Sequence, residues 1–246
     1  MAEQLVLDFG NTNLKAAIFS GSTLSRHTIL RSADAGEILS FCENSPIRAA
    51  IIGAVIDYPA ALAGALQKKF PVLVLDEQSR LPIGNRYTSP GTLGYDRLAA
   101  ATGGWQLFAG SPVLAIVAGT CITYNLVDRN GSFAGGAISP GLHMRLRAMH
   151  EYTQKLPLVA LDGPHPLVGD STETSLRAGA LHGAAAEVRG MMNDYAAAFP
   201  GLHTVIGGGD STLLAEAVKN GIFARPNLVM EGLNGILSYH AENNLL

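Results

Sequence analysis

The sequence predicts an α/β protein built from two similar lobes, each a mixed sheet flanked by helices, with a cleft between them. Short apolar runs closed by turn residues alternate with helical stretches along the chain. A strand, a polar glycine turn and two further strands open the sequence, and the same order returns with Gly119 standing 109 residues after Gly10. The chain has 246 residues, 48% apolar and 15% charged, which is enough to bury two cores and is unlike a disordered segment.

In the first lobe, Leu5-Val6-Leu7 reads as a buried strand entering the turn Asp8-Phe9-Gly10-Asn11-Thr12. Residues 14–19 and 23–30 read as returning strands, 34–43 as a helix, 49–55 as a strand, 58–69 as a helix and 72–75 as a strand. Residues 76–93, rich in proline and glycine, form a long irregular connection of the kind that often carries function. A helix over 94–108 follows, and the lobes are divided as 1–110 and 111–246. In the second lobe, strands are expected at 113–117, 122–127 and 131–139, and helices at 141–154 and 172–198. A strand at 203–206 runs into Gly207-Gly208-Gly209, then come a helix near 212–219, a strand near 227–230 and a helix near 231–242.

Composition narrows the function classes. Net charge is −3 without a long basic run, which argues against a nucleic-acid partner. Cys42 and Cys121 lie in no metal or redox motif, and the histidines show no ligand spacing. The opening residues lack a basic stretch before a long apolar one, and no window of about 18 apolar residues occurs. The expectation is therefore a cytoplasmic chain with no membrane span.

The residues able to do chemistry sit at the turns. Gly10 lets backbone approach a phosphate, Asn11 and Thr12 offer hydrogen bonds, Lys15 offers charge, and Asp8 can hold Mg²⁺ directly or through water. A plain β-hairpin with polar turn residues would carry the same letters. Gly119, Thr120 and Thr123 form the twin turn. Gly94-Tyr95-Asp96-Arg97 opens a helix, where Asp96 can accept a hydroxyl proton and Arg97 can clamp an acid or phosphate. An ordinary first-turn charge and surface pair is the alternative there. Gly207-Gly208-Gly209-Asp210 suits a ring or phosphate lying on backbone, while neither GxxxxGK[ST] nor GxGxxG is present.

Together these segments resemble the type III pantothenate kinases, also described as Bvg-accessory-factor-like, of the sugar kinase, Hsp70 and actin superfamily. The likeness spans roughly residues 5–210. It rests on Asp8, Gly10, Asn11, Thr12 and Lys15, then Gly94, Asp96 and Arg97, then Gly135, Gly136, Ile138, Pro140 and Gly141. Leu156-Pro157, Thr172 with Gly179, and Gly207-Gly208 complete it. The resemblance implies a duplicated actin-like (ribonuclease H-like) fold, a homodimer, and ATP-dependent phosphorylation of pantothenate to 4'-phosphopantothenate, the first step of coenzyme A biosynthesis. It also implies Mg²⁺ and a monovalent cation, K⁺ or NH₄⁺. On this basis Asp8, Gly10, Asn11, Thr12, Lys15, Gly119 and Thr120 meet the ATP phosphates, with Asp8 toward the metal. Asp96 receives the hydroxyl proton, while Tyr87, Gly94, Arg97 and Thr172 of the partner subunit line the pantothenate pocket.

The sequence departs from the family pattern in its second turn, where Val117 stands in the position of an Asp and Asn125 in the position of an acid. Three readings follow: an active pantothenate kinase with an altered cation site, a catalytically impaired relative that binds nucleotide or pantothenate, or a kinase for another hydroxylated acid. A DNA-binding activator is disfavoured, since there is no basic patch or helix-turn-helix.

Overall fold

The computed structural model of the protein describes residues 3–219 and 222–246. The opening third of the chain contains β1 (Glu3–Phe9), β2 (Leu14–Ser20), β3 (Thr23–Leu30), α1 (Ala35–Phe41), β4 (Ile47–Ala54), α2 (Ala61–Gln67) and β5 (Val72–Val74). They form a sheet of order β3-β2-β1-β4-β5, antiparallel through β1–β3 and parallel from β1 to β5. The rest of the chain contains β6 (Gly84–Asn85), α3 (Tyr95–Leu107), β7 (Val113–Ala118), β8 (Cys121–Val127), β9 (Ser132–Pro140), α4 (Leu142–Glu151), α5 (Thr172–Ala198), β10 (His203–Gly207), α6 (Ser211–Val218), β11 (Phe223–Ala224) and α7 (Leu228–Glu242). The second sheet runs β11-β10-β7-β8-β9-β6. Apart from the short β6, each strand has a counterpart in the other sheet, so the repeat expected from the two turns is present in the topology.

Alternation along β1 and β7 explains the layering. Successive side chains on a strand point to opposite faces. Leu5, Leu7 and Phe9 join the core under α1 and α2, whereas Val6 meets α7. In β7, Leu114, Ile116 and Ala118 pack toward α4, α5 and α6, while Val113, Ala115 and Val117 turn to the opposite side. Helices α3 and α7 pack on each other and touch both sheets, forming the layer between them. The parity that sends Val6 inward also sends Asp8 to that central layer, at the open end of β1. Val117 is its counterpart on β7.

The helix expected over 172–198 has those limits, opened by a capping box between Ser171 and Thr174. The strand expected near 227–230 does not form: residues 228–230 are the first turn of α7, and the short strand lies earlier, at 223–224. Leu228 and Met230 are buried between both sheets, and a helix covered on several sides loses the periodicity that separates it from a strand. Within 76–93 the chain forms β6, parallel to β9, and a 3-10 turn at Pro90–Thr92.

Candidate active site

The first turn is closed by the Gly10 amide donating to the Asn13 carbonyl at 3.1 Å, which leaves Asn11 and Thr12 exposed at its tip. Lys15 lies directly opposite Asp8 in the β1–β2 register. Burial pushes the Asp8 carboxyl up from 3.8 to about 6; the Lys15 charge pulls it down and the Asp96 carboxylate pushes it up. Asp8 and Asp96, from different elements, therefore share one electrostatic neighbourhood.

Asp96 stands in the first turn of α3, whose N-cap is Gly94. Its Oδ1 accepts the Arg97 amide at 2.8 Å. Burial raises the Asp96 carboxyl, opposed by that hydrogen bond and by the Arg97 charge. A Cβ on Gly94 would come within 2.5 Å of Asp96 Oδ1, so the glycine leaves room for the carboxylate to fold over the helix start.

Arg97 is 5% exposed. Its Nε donates to Asn125 Oδ1 at 2.8 Å and its Nη2 reaches the Tyr124 carbonyl at 3.5 Å. The guanidinium carbon lies 5.6 Å from the ring centres of both Tyr87 and Phe133. Among the described residues Nη1 finds no acceptor, and it is not sealed from solvent. Among the described residues, no carboxylate lies within ion-pair distance of this cation. The sequence pattern located Arg97 but not its support. Asn125, noted there only as a departure, and Phe133, not singled out at all, hold it in place. Strand parity puts Asn125 on the same face as Thr123, two residues earlier on β8, but only the α3 packing brings Arg97 to that face.

The second turn faces the first. Thr12 Oγ1 and Thr120 Oγ1 are 2.7 Å apart, joining the two lobes across the cleft, and space beside Gly119 is open. The third loop lies against this turn: the Asp210 amide donates to the Ala118 carbonyl at 3.1 Å. Gly208 adopts φ +94, and a Cβ there would collide with the Ala118 carbonyl oxygen. Asp210 is pushed up by burial and pulled down by His143 at the start of α4. The first turn, second turn, third loop and α3 N-terminus thus converge on the cleft. Thr172 does not join them within one protomer; it is exposed at the start of α5, in a depression with Met149, Leu156 and Ser175.

The donor set sets limits on metals. Among the described residues no cluster of three or more His, Cys, Asp or Glu could cage an ion. A carboxylate pair of oxygen donors still fits Mg²⁺, which keeps waters and shares phosphate oxygens. At the second turn the hydroxyls of Thr120 and Thr123 are present, but among the described residues no carboxylate stands with them to hold a monovalent cation. Val117 has no oxygen, and Asn125 is engaged with Arg97, the Ala115 carbonyl at 3.0 Å and Thr123 Oγ1 at 3.0 Å.

Comparison with known proteins agrees with this geometry. The family model described as type III pantothenate kinase matches residues 4–194. A type III pantothenate kinase of Christiangramia forsetii is 39% identical over 238 residues, covering 96% of this chain and 98% of the relative. One from Bacteroides fragilis is 40% identical over 237 residues, with coverage of 96% and 98%. Among solved structures, a Baf family protein from Campylobacter jejuni superposes with a TM-score of 0.61 at 20% identity, covering 98% of this chain and 100% of that one. A ROK family glucokinase from Streptomyces griseus, in complex with glucose and AMPPNP, gives 0.59 at 16%, with coverage of 98% and 100%. These structural likenesses establish the actin-like kinase fold of two mixed sheets flanked by helices. The sequence likeness, near full length, goes further: the chain belongs to the type III pantothenate kinase family.

Proposed function

We infer that the protein transfers the terminal phosphoryl group of ATP to the primary hydroxyl of pantothenate, giving 4'-phosphopantothenate for coenzyme A biosynthesis. The observation that carries this reading is the pairing, at the start of α3, of a half-buried carboxylate with a buried guanidinium open along one edge. An acceptor that bears a hydroxyl and a carboxylate matches that pair. Asp96 orients the hydroxyl and takes its proton as the phosphoryl group arrives. Arg97, backed by Tyr87 and Phe133, receives the carboxylate. The backbone and side chains of Gly10, Asn11, Thr12, Gly119 and Thr120, with Lys15, are suited to cradle the phosphates. Mg²⁺, held by Asp8 directly or through water, supplies charge neutralisation at the phosphate oxygens when bound. The second turn offers hydroxyls but no carboxylate toward K⁺ or NH₄⁺, and no step here depends on either.

A homodimer belongs to the proposal, since Thr172 can reach an acceptor pocket only from another copy. Support comes from α5, where Gly179, Gly183, Ala186 and Gly190 are exposed along one face, and from the exposed Leu158, Leu167 and Val168. No helix among the described residues is long and apolar enough to cross a membrane, and a cytoplasmic setting, where ATP and pantothenate meet, is proposed on the same reading.

Nothing in the arrangement favours the binding-only alternative. Val117 fills its position by packing with the apolar residues between β7 and α3, and Asp8, Lys15, Asp96 and Arg97 are all retained. The test is ADP release from MgATP with and without pantothenate, in K⁺ and in Na⁺ buffers, beside Val117→Asp. Pantothenate-dependent release by the unmodified protein is expected. Release only by the variant would support the impaired alternative, and none from either would point to another acceptor.

A further inference from the structure

We propose that Glu187, on α5, positions the second turn for the ATP phosphates by clamping the end of β9, on which that turn rests. The proposal deepens the kinase reading and rests on it for the role of Thr120 toward ATP. The Glu187 carboxylate gathers donors from three elements. Its Oε1 accepts from Tyr124 Oη of β8 at 2.9 Å and from Ser139 Oγ of β9 at 2.5 Å, and its Oε2 accepts from Arg145 Nη2 of α4. Burial pushes this carboxyl up, but donation from Ser139, Arg145 and Tyr124 outweighs it and holds the group below its ordinary value. An ionised acceptor binds each of these donors more strongly than a neutral one would.

The clamp holds the last residues of β9 and the first of α4. Pro140 pairs with Cys121 in the β8–β9 register but has no N–H to give the ladder. Its carbonyl is taken instead by Arg145 Nε at 2.9 Å, so the same guanidinium ties the strand end to Glu187. Gly141 follows, and its amide donates to the Thr120 carbonyl at 3.1 Å. A Cβ on Gly141 would collide with the Gly119 and Thr120 carbonyl oxygens, so backbone lies directly on backbone here. Within the turn, the Gly119 amide donates to the Cys121 carbonyl at 3.0 Å. A shift of β9 at Ser139 or Pro140 therefore reaches Thr120 through Gly141, without an intervening side chain to absorb it. Glu187 acts through β9 and is a positioning residue.

The experiment is calorimetry of MgAMPPNP binding, which needs no acceptor. Glu187→Gln keeps the shape of the side chain and removes its charge. Its Kd for MgAMPPNP is expected to rise about 10-fold, the span of one hydrogen bond to a charged group. The KM for pantothenate should hold, because Asp96 and Arg97 lie on α3. The loss should largely disappear when both proteins carry Thr120→Ala, where the hydroxyl that Glu187 places is already gone. A general loosening of the fold would instead weaken binding alike in the two backgrounds. Ser139→Ala, which leaves the Arg145–Glu187 ion pair in place, should show a smaller loss of the same kind and decides the matter if Glu187→Gln does not fold. Unchanged affinity in these variants, or an equal loss in the Thr120→Ala background, overturns the proposal and leaves the kinase reading standing. The expected pattern without pantothenate turnover by the unmodified protein would remove the acceptor and keep the proposal. No binding of MgAMPPNP by the unmodified protein would overturn both.

Discussion

At Asp8 the protein keeps a carboxyl group whose ordinary value of 3.8 has been pushed up to about 6, chiefly by burial. A raised value in the folded state means that the folded chain binds the proton more tightly than the unfolded one. The stability tied to this proton is fully present below about pH 4 and is lost as pH rises through about 6. Keeping Asp8 ionised at neutral pH thus costs about 3 kcal/mol. Asp8→Asn should match the wild type in urea unfolding near pH 4 and exceed it by about 2–3 kcal/mol at pH 7.5, while losing MgATP-dependent turnover. Equal stability at both pH values would contradict this. The next residue of interest is Gly94, whose role is to make space for Asp96. Gly94→Ala should fold and bind ATP but lose about 100-fold in kcat, as small misplacements of reacting groups do. Asp96→Asn should lower kcat by about 10²–10⁴-fold, and steady-state kinetics of both variants would compare the displaced with the deleted carboxylate.

Among the elements, the loop from β10 into α6 is the one most tightly dictated by backbone geometry. Gly208 sits at positive φ with the Ala118 carbonyl where a side chain would go. Gly208→Ala must therefore move the loop away from the second turn, at a cost of about 1–3 kcal/mol. The KM for ATP should rise more than the KM for pantothenate, because Arg97 and Asp96 lie on another element; a selective rise for pantothenate would count against this division of labour. Elements with a strong local signal were legible in the sequence. The helix expected over 172–198 has those limits, and the Gly-rich stretch after 203–206 does end a strand in a turn. The start of α7 was not legible, because Leu228-Val229-Met230 is apolar on every side for reasons that lie in the two sheets packed around it.

The molecule as a whole consists of two related sheets sharing a central helical layer, with one face of α5 left uncovered. Within a protomer, nothing lies near the Cβ positions of Gly179, Gly183 and Gly190. Gly183→Arg should leave the protomer's fold intact, since alanine-like or long side chains suit an exposed helix better than glycine, but should block close approach of a second copy. Light scattering is expected to show a dimer for the wild type and a monomer for the variant. The KM for pantothenate should rise in the variant as Thr172 of the partner subunit is withdrawn. A monomeric wild type with full activity would remove the dimer from the proposal.

Sequence alone determined the α/β class, the internal repeat and the turn residues. These are local matters: alternation of apolar residues, glycine where backbone must bend, and polar groups at strand ends. It also pointed to Asp8, Lys15, Asp96 and Arg97 as candidates, because their spacing within short segments carries the pattern. Only the tertiary structure decided that the Asp8 and Asp96 carboxylates share a field, that Thr12 meets Thr120 across the cleft, and that Asn125 is the support of Arg97. Each of these joins residues at least 28 positions apart. Such pairs are set by how α3 and the two sheets pack, and no local spacing in one sequence encodes that distance.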